Sequence, residues 1–331
     1  MALLQVSNLR VVVGPRRHPT AVVVRGALAV EPGETLGLVG ESGSGKTMSG
    51  LAILGLLPAG VRTDGGQALF DGQDLLELDR AARRRLRAKQ MKMVFQDPMT
   101  SLNPVMRVGA QVREAVQAAD PAATRRQVAT ESLRLLDLVG IPDPARRIHQ
   151  FPHEFSGGMR QRVMLAMAIA SKPRLLIADE PTTALDVTVQ AQVVRLVKEL
   201  QEHFGTAVVW ITHDLALLAG MSDRVSVMYG GRVVESAPAE AVYAAPRHPY
   251  TVGLLRSVPA ANLPHKSPLP GIAGFPPDPA DLGEGCPFAP RCPHLLPKCL
   301  TSDPPERAVG PGRTVACWVG ELEAEKGQPD A

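Results

Sequence analysis

A chain of 331 residues with 45% hydrophobic and 21% charged residues has ample material for a large buried core and is not composed like a disordered segment. Its 36 Lys and Arg against 33 Asp and Glu leave a net charge of +3, too little to argue for nucleic acid as a partner. Four cysteines in so long a chain do not make a disulfide scaffold, yet Cys286, Cys292, Cys299 and Cys317 all crowd the C-terminal end. The longest unbroken apolar run, Val163 to Ala170, falls far short of the roughly 18 residues of a membrane span. Residues 1–10 lack a basic head before an apolar stretch. The expected location is therefore the cytoplasm, with any membrane association made through a partner.

The β-branched runs Val11–Val13 and Ala21–Val24, separated by a polar stretch with Pro15 and Pro19, predict a hairpin. Thr35–Val39 reads as a short buried strand, and Met48–Leu57 as a buried helix stopped by Pro58. Arg80, Arg83, Arg84, Arg85, Arg87 and Lys89 read as one solvated helix face, with a basic surface for phosphate or lipid head groups as the alternative. Residues 105–150, with Leu133, Leu136 and Val139 at helical spacing, predict an all-helical stretch. Beyond residue 160, strands at Leu175–Ala178, Ala207–Ile211 and Val225–Tyr229 alternate with a helix at Val187–His203, which implies parallel strands and crossovers. Fourteen of the 30 prolines fall between Pro259 and Pro311, so the end of the chain is expected to be extended and turn-rich.

Between the strand at 35–39 and the helix after it stands Gly40-Glu41-Ser42-Gly43-Ser44-Gly45-Lys46-Thr47, a phosphate loop of the form G-x-x-x-x-G-K-[ST]. Glycines let backbone N–H groups wrap an anion at the positive end of a helix, Lys46 reaches the terminal phosphates, and Thr47 offers its hydroxyl to Mg²⁺. The second element is the apolar strand Leu175–Ala178 ending in Asp179 and Glu180. Asp179 is placed to enter the Mg²⁺ shell and Glu180 to orient or deprotonate an attacking water. Together these features read as a nucleoside triphosphatase. The 132 residues between Lys46 and Asp179 leave room for a helical insertion. That insertion ends in Ser156-Gly157-Gly158-Met159 before a helix, a second potential anion nest suited to a nucleotide held by another subunit.

In the order phosphate loop, Gln96, Ser156-Gly157-Gly158, acidic strand, Ala184-Leu185-Asp186 and His213, the sequence resembles the ATP-binding subunits of ABC transporters over roughly residues 3–257. Three stretches, Phe95–Pro104, Ala178–Val187 and His248-Pro249-Tyr250-Thr251, resemble the dipeptide, oligopeptide and nickel importer branch. The resemblance implies an α/β fold: a P-loop NTPase core of ABC type with an N-terminal antiparallel β region and an inserted helical subdomain at about 97–160. The ATPase domain would cover 1–257 and a Pro/Cys-rich extension 258–331. It further implies a head-to-tail dimer that sandwiches ATP and Mg²⁺. In that dimer Gln96 joins the Mg²⁺ ligands, Ser156, Gly157 and Gly158 face the partner's nucleotide, Asp186 communicates across the interface, and His213 contacts the γ-phosphate. Met159 where glutamine is common resembles one of two non-identical ATPase subunits, so a heterodimer is expected over a homodimer. The implied partners are two transmembrane permease subunits and, indirectly, a solute-binding protein, with the ATPase peripheral on the cytoplasmic face of the inner membrane. Peptides are the expected solute. Nickel or another small solute is the alternative within the branch, and a soluble ABC ATPase uncoupled from transport the alternative outside it. Val13 stands where the family usually stacks an aromatic ring on adenine.

The cysteines read C-x5-C-x6-C-x17-C, without the close pairs that zinc sites favour. Four thiolates also hold iron–sulfur clusters, and the tail resembles the cysteine-bearing extension of peptide-importer ATPases, some of which carry [4Fe–4S]. Zinc and metal-free thiols are the alternatives. Arg291 and Lys298 are expected to offset thiolate charge. The tail is expected to lie apart from catalysis and to depend on a crosslink, having little core of its own.

Overall fold

The computed structural model describes residues 2–97, 101–183, 186–258 and 271–319. The expectations for Ala184 and Leu185, and for Pro98 to Thr100 within the Gln96 stretch, fall outside the described residues. The chain divides into two units.

One unit takes in Leu4–Ala29, Leu36–Leu76 and the described residues from Thr212 onward. Its strands run in the order β5 (Gln73–Asp74), β4 (Val61–Phe70), β1 (Leu4–Val13), β2 (Thr20–Val30), β10 (Arg232–Pro238), β9 (Arg224–Tyr229) and β3 (Thr35–Val39). β1 and β4 are antiparallel, from Leu4 opposite Phe70 to Val13 opposite Val61, with register shifts on either side of Arg10. The runs read as a hairpin fall in β1 and β2, which are neighbours in the sheet, and the β1–β4 pairing supplies the antiparallel N-terminal region that the resemblance implied. β3 lies parallel to β9 and is buried at every residue, as a strand covered on both faces must be. It delivers the chain to the phosphate loop and then α1 (Lys46–Leu54). That helix stops at Gly55, whose left-handed conformation closes its last turn, three residues before the proline expected to end it.

The extension joins this sheet. A hairpin of β11 (Arg307–Gly310) and β12 (Arg313–Val315) pairs with β10, placing Val315 opposite Glu235. Phe288, 2% exposed, packs among Tyr229, Tyr250 and His248 with ring centroids 5.2, 5.4 and 5.8 Å away. Burying one such ring contributes about 2 kcal/mol. The expectation that the tail depends on a crosslink for want of a core is corrected by this cluster: Tyr229 of β9 and Tyr250 of the helix Pro249–Arg256, with its cap His248, bury the tail's own Phe288.

The other unit takes in Val30–Thr35 and Glu77–Ile211, with the first residues of the chain. Its strands β6 (Met91–Val94), β7 (Leu175–Asp179) and β8 (Ala207–Thr212) are parallel, with Met91 opposite Leu175 and Asp179 opposite Ile211. Before β6 runs α2 (Arg80–Lys89), capped by Asp79, whose carboxylate accepts from Ala82 N–H at 2.7 Å. None of its residues is buried, in keeping with a solvated helix. The predicted helical stretch resolves into α3 (Val108–Ala119), α4 (Arg125–Leu138) and the single turn α5 (Pro144–Arg147). Leu135, Leu136 and Val139 are wholly buried, whereas Leu133 turns outward at 36% exposure. The buried Gln111 amide organises the loop before α3: its Oε1 accepts from Asn103 N–H, and its Nε2 donates to the carbonyls of Asn103 and Met106 at 3.0 and 3.1 Å. Two longer helices follow, α6 (Gly157–Ile169) and α7 (Val187–Phe204).

Candidate functional site

In the first unit, close packing dictates the glycines of the phosphate loop. A Cβ on Gly40 would stand 2.1 Å from the Met228 carbonyl, and Gly45 has φ of +100° with the Val22 carbonyl 2.7 Å from where a Cβ would be. Gly45 caps α1, so the loop's N–H groups lead straight into that helix's N-terminus. Lys46 is 5% exposed and its Nζ curls into the loop, donating to the carbonyls of Gly40 and Glu41 at 2.7 and 3.0 Å and to Ser44 Oγ at 3.4 Å. Ser44 is buried and its carbonyl accepts from Gly231 N–H at 3.1 Å. Ser42, Gly43 and Thr47 are exposed.

Glu41 faces another way. Its N–H donates to Tyr250 Oη at 2.8 Å, and its carboxylate takes both Nη groups of Arg291 at 2.6 and 3.0 Å. Arg291 also donates to Tyr229 Oη at 3.1 Å. Burial pushes the Tyr229 and Tyr250 hydroxyls above their ordinary range, so both remain protonated. His213, following β8, is exposed, and the next residue, Asp214, caps a short helical turn through bonds from Ala216 and Leu217 N–H.

In the second unit, Asp179 closes β7 and is 3% exposed. Glu180 follows with φ of +44°, left-handed backbone that a residue with a Cβ adopts only at a cost of about 1–3 kcal/mol. Its N–H bonds to the Ile211 carbonyl at 2.9 Å, which holds the turn to the neighbouring strand. The Glu180 carboxylate accepts from Gln96 Nε2 at 3.1 Å and from Thr183 Oγ1 at 2.8 Å through the same oxygen, Oε2. Gln96 and Glu180, 84 positions apart, are thus brought together. Thr183 was not singled out in the sequence; the signal for it was its place three residues after an acid that opens a turn.

Ser156 caps α6, its Oγ accepting from Met159 N–H at 3.3 Å, and Ser156 is itself exposed. Gly158 owes its identity to packing as well, because a Cβ there would meet Val189 Cγ1 of α7 at 2.4 Å. Arg162, one turn further along α6, holds the Val139 carbonyl at 2.8 Å and Gln192 Oε1 at 3.0 Å, tying α4, α6 and α7 together. Asp186 caps α7 through Val189 N–H at 2.9 Å.

All four cysteines are free of disulfides. Burial pushes the Cys286 thiol up to about 11, with the neighbouring Cys299, Cys317 and Cys292 adding to the rise, and burial also raises Cys292 and Cys317. Backbone joins two of them, Cys286 N–H donating to the Cys299 carbonyl at 2.8 Å. Among the described residues no group of three or more His, Cys, Asp or Glu is arranged to hold a metal ion. The two cations expected to offset thiolate charge are used otherwise: Arg291 is spent on Glu41, and Lys298 Nζ sits 3.6 Å over the Trp318 ring.

An ABC transporter family model matches residues 25–183, and a model described as the C-terminal region of oligopeptide/dipeptide transporters matches residues 234–299. The oligopeptide transport ATP-binding protein OppD of Escherichia coli is 49% identical over 317 residues, which cover 96% of this chain and 93% of that protein. The chain belongs to the ATP-binding subunits of ABC transporters, in their oligopeptide and dipeptide branch. The dipeptide transport ATP-binding protein DppD of Escherichia coli is 48% identical over 96% of each chain. Among solved structures, the dimeric ATP-binding cassette MJ0796 bound to ADP and Pi superposes with a TM-score of 0.63 at 25% identity, covering 71% of this chain and 98% of that one. The cbiO1 subunit of Clostridium perfringens, part of the ABC transporter complex cbiONQ, gives 0.63 at 26% identity over 73% and 91%. Membership makes the chain an ATPase whose hydrolysis serves transport. Among the described residues no helix is long and apolar enough to cross a membrane.

Proposed function

We propose that this chain drives the uptake of di- or oligopeptides through an ABC importer, as the names of the OppD and DppD relatives suggest. The observation that carries the chemistry is Glu180, held by Gln96 and Thr183 in left-handed backbone at the end of the acidic strand. In this reading the phosphate loop, Gly40 to Thr47, holds the ATP phosphates. Thr47, Gln96 and Asp179 gather Mg²⁺, Glu180 activates water, and His213 meets the γ-phosphate. Replacing Glu180 with Gln keeps the size and loses the base, so turnover should fall by about 10²–10⁴-fold while ATP is still bound. Normal steady-state hydrolysis by Glu180→Gln would remove Glu180 from the role of base.

The exposed Ser156, with Gly157 and Gly158 at the head of α6, supports a dimer in which this stretch meets the nucleotide of a second ATPase subunit, and Met159 in place of the commoner glutamine favours a non-identical one. Two transmembrane permease subunits complete the assembly, with this chain peripheral on the cytoplasmic side of the inner membrane and a solute-binding protein delivering the peptide. Co-purification with a tagged permease tests the arrangement: a second ATPase should appear in equal amount, and this chain alone in two copies would support a homodimer instead.

For the cysteines the reading is a [4Fe–4S] cluster. Zinc, at about 2.3 Å from each thiolate, needs four sulfurs closing on one point. Cys292, Cys299 and Cys317 lie near enough to Cys286 to raise its pKa, and a spacing without close pairs suits a cluster better than one zinc ion. When bound, the cluster would join Cys286, Cys292, Cys299 and Cys317 at one covalent node. Anaerobically purified chain should be brown, with iron and acid-labile sulfide in equal amounts. Colourless protein free of iron would remove the cluster, and one equivalent of zinc would replace it.

A further inference from the structure

The C-terminal extension reaches the phosphate loop through one side chain. Arg291 lies in the interval between Cys286 and Cys292, and its side chain is 5% exposed. Every arm of its guanidinium is used: Nε on the Ala273 carbonyl at 2.9 Å, Nη1 on Tyr229 Oη and Glu41, and Nη2 on Glu41 and the Ile272 carbonyl. The grip on Glu41 is bidentate, the geometry in which Arg is strongest and most directional. The base of this arm is equally well held, because Phe288 is locked between Tyr229 and Tyr250, and Tyr250 in turn receives the Glu41 N–H. Pro276 and Pro277 of the extension line the same recess as Glu41, Ser42, Gly43 and Ser44.

Glu41 is an awkward residue to have in a loop that must receive a polyanion. Its carbonyl already accepts from Lys46 Nζ at 3.0 Å, so its carboxylate belongs to the same short stretch of chain as the cation meant for phosphate. Released, that carboxylate would either repel the triphosphate or capture Lys46. Arg291 cancels its charge and holds it in a two-point pair.

We propose that Arg291 is a positioning residue for ATP: by clamping Glu41 it keeps the phosphate loop receptive, so that docking of the cysteine-bearing extension sets the affinity for nucleotide. The proposal rests on the assignment of the phosphate loop to ATP. It differs from a staple that merely holds the tail, because a staple would not care whether residue 41 carries a charge.

The test uses the full chain in the assembled transporter, with ATP affinity read by equilibrium dialysis and by the KM of hydrolysis. Arg291→Met should weaken ATP binding and raise KM at least ten-fold, with kcat at saturating ATP within two-fold of the parent. Arg291→Lys, which keeps the charge and loses the fork, should fall between. The double variant Glu41→Gln/Arg291→Met should bind ATP at least three-fold more tightly than Arg291→Met alone, since no carboxylate is left to restrain. A double variant as weak as Arg291→Met, or an Arg291→Met protein with unchanged KM, overturns the proposal. If Arg291→Met does not accumulate as folded protein, Arg291→Lys with and without Glu41→Gln supplies the same comparison, and equal KM in the parent and both variants overturns it. Lys46→Met is the control for the underlying assignment: ATP binding that survives it fails the phosphate loop itself, independently of Arg291.

Discussion

His248 is buried to 1% and accepts the Tyr250 N–H on Nδ1 at 3.0 Å, which makes a neutral imidazole the cap of the helix Pro249–Arg256. Burial pulls its pKa down to about 3 from an ordinary 6.5. The folded chain therefore refuses a proton that the unfolded chain accepts. Stability from this group is complete above about pH 6.5 and drains away as the pH falls from there toward 3. Asn has the same capping ability without the titration, so His248→Asn should flatten the loss of thermal stability between pH 7 and pH 5. An unchanged slope would place the acid sensitivity elsewhere. At this scale the phosphate loop and the Asp179–Glu180 pair stand out in the sequence as short stretches whose spacing is their chemistry, whereas His213 is singled out only by its place in the family resemblance. The clamp of Arg291 on Glu41 does not stand out, since 250 positions separate its halves and a lone arginine in a Pro-rich tail carries no pattern. Val13 is exposed at 36% at the end of β1.

Among the elements, those buried on both faces announced themselves. β3 and β7 are apolar runs that meet their expected bounds to within a residue, and α7 matches its expected span to within one residue. β4 escaped notice because much of it is exposed and polar, with Asp64, Gly65 and Gly66 in its middle; pairing with β1 makes it a strand. β12 has three residues and exists through β10 and β11. The crossing of α6 and α7 belongs to the same class of hidden information. Gly158 reads as part of an anion nest, yet its missing Cβ is also what lets Val189 close in. Gly158→Ala should therefore cost about 1–3 kcal/mol in the unfolding free energy of the chain, besides any effect on ATP turnover. Denaturant unfolding in the absence of nucleotide separates the two, and an unaltered midpoint would mean that α7 yields freely.

For the molecule as a whole, the Pro and Cys content was visible as a change of character beyond residue 258, but its attachment was not. Three charged clasps hold the extension to its unit. Asp303 accepts from Arg232 at 2.9 Å and lies 3.3 Å from Arg25; Arg291 holds Glu41; and Arg313 donates to Glu235 at 2.8 Å. The Glu235 side chain is fully buried and also takes the N–H groups of Arg247 and His248. Arg313→Met would leave that carboxylate inside without its cation, at a cost of about 3 kcal/mol or more. The expected signs are a lower melting temperature and faster proteolytic trimming of the β11–β12 hairpin, and a melting temperature equal to the parent's would show Glu235 satisfied by backbone alone.

β10 carries Arg232 and Glu235, the very residues that the extension neutralises, and the C-terminal family model already begins at residue 234 inside that strand. That family-model edge therefore falls inside a hydrogen-bonded strand. A chain cut after the last ATPase motif would keep the buried charges and lose their counter-ions. A tail grafted onto another ATPase would need Arg232 and Glu235 waiting for it. A tail exchanged alone, without those two partners, would be expected to dock poorly on the strand that receives it.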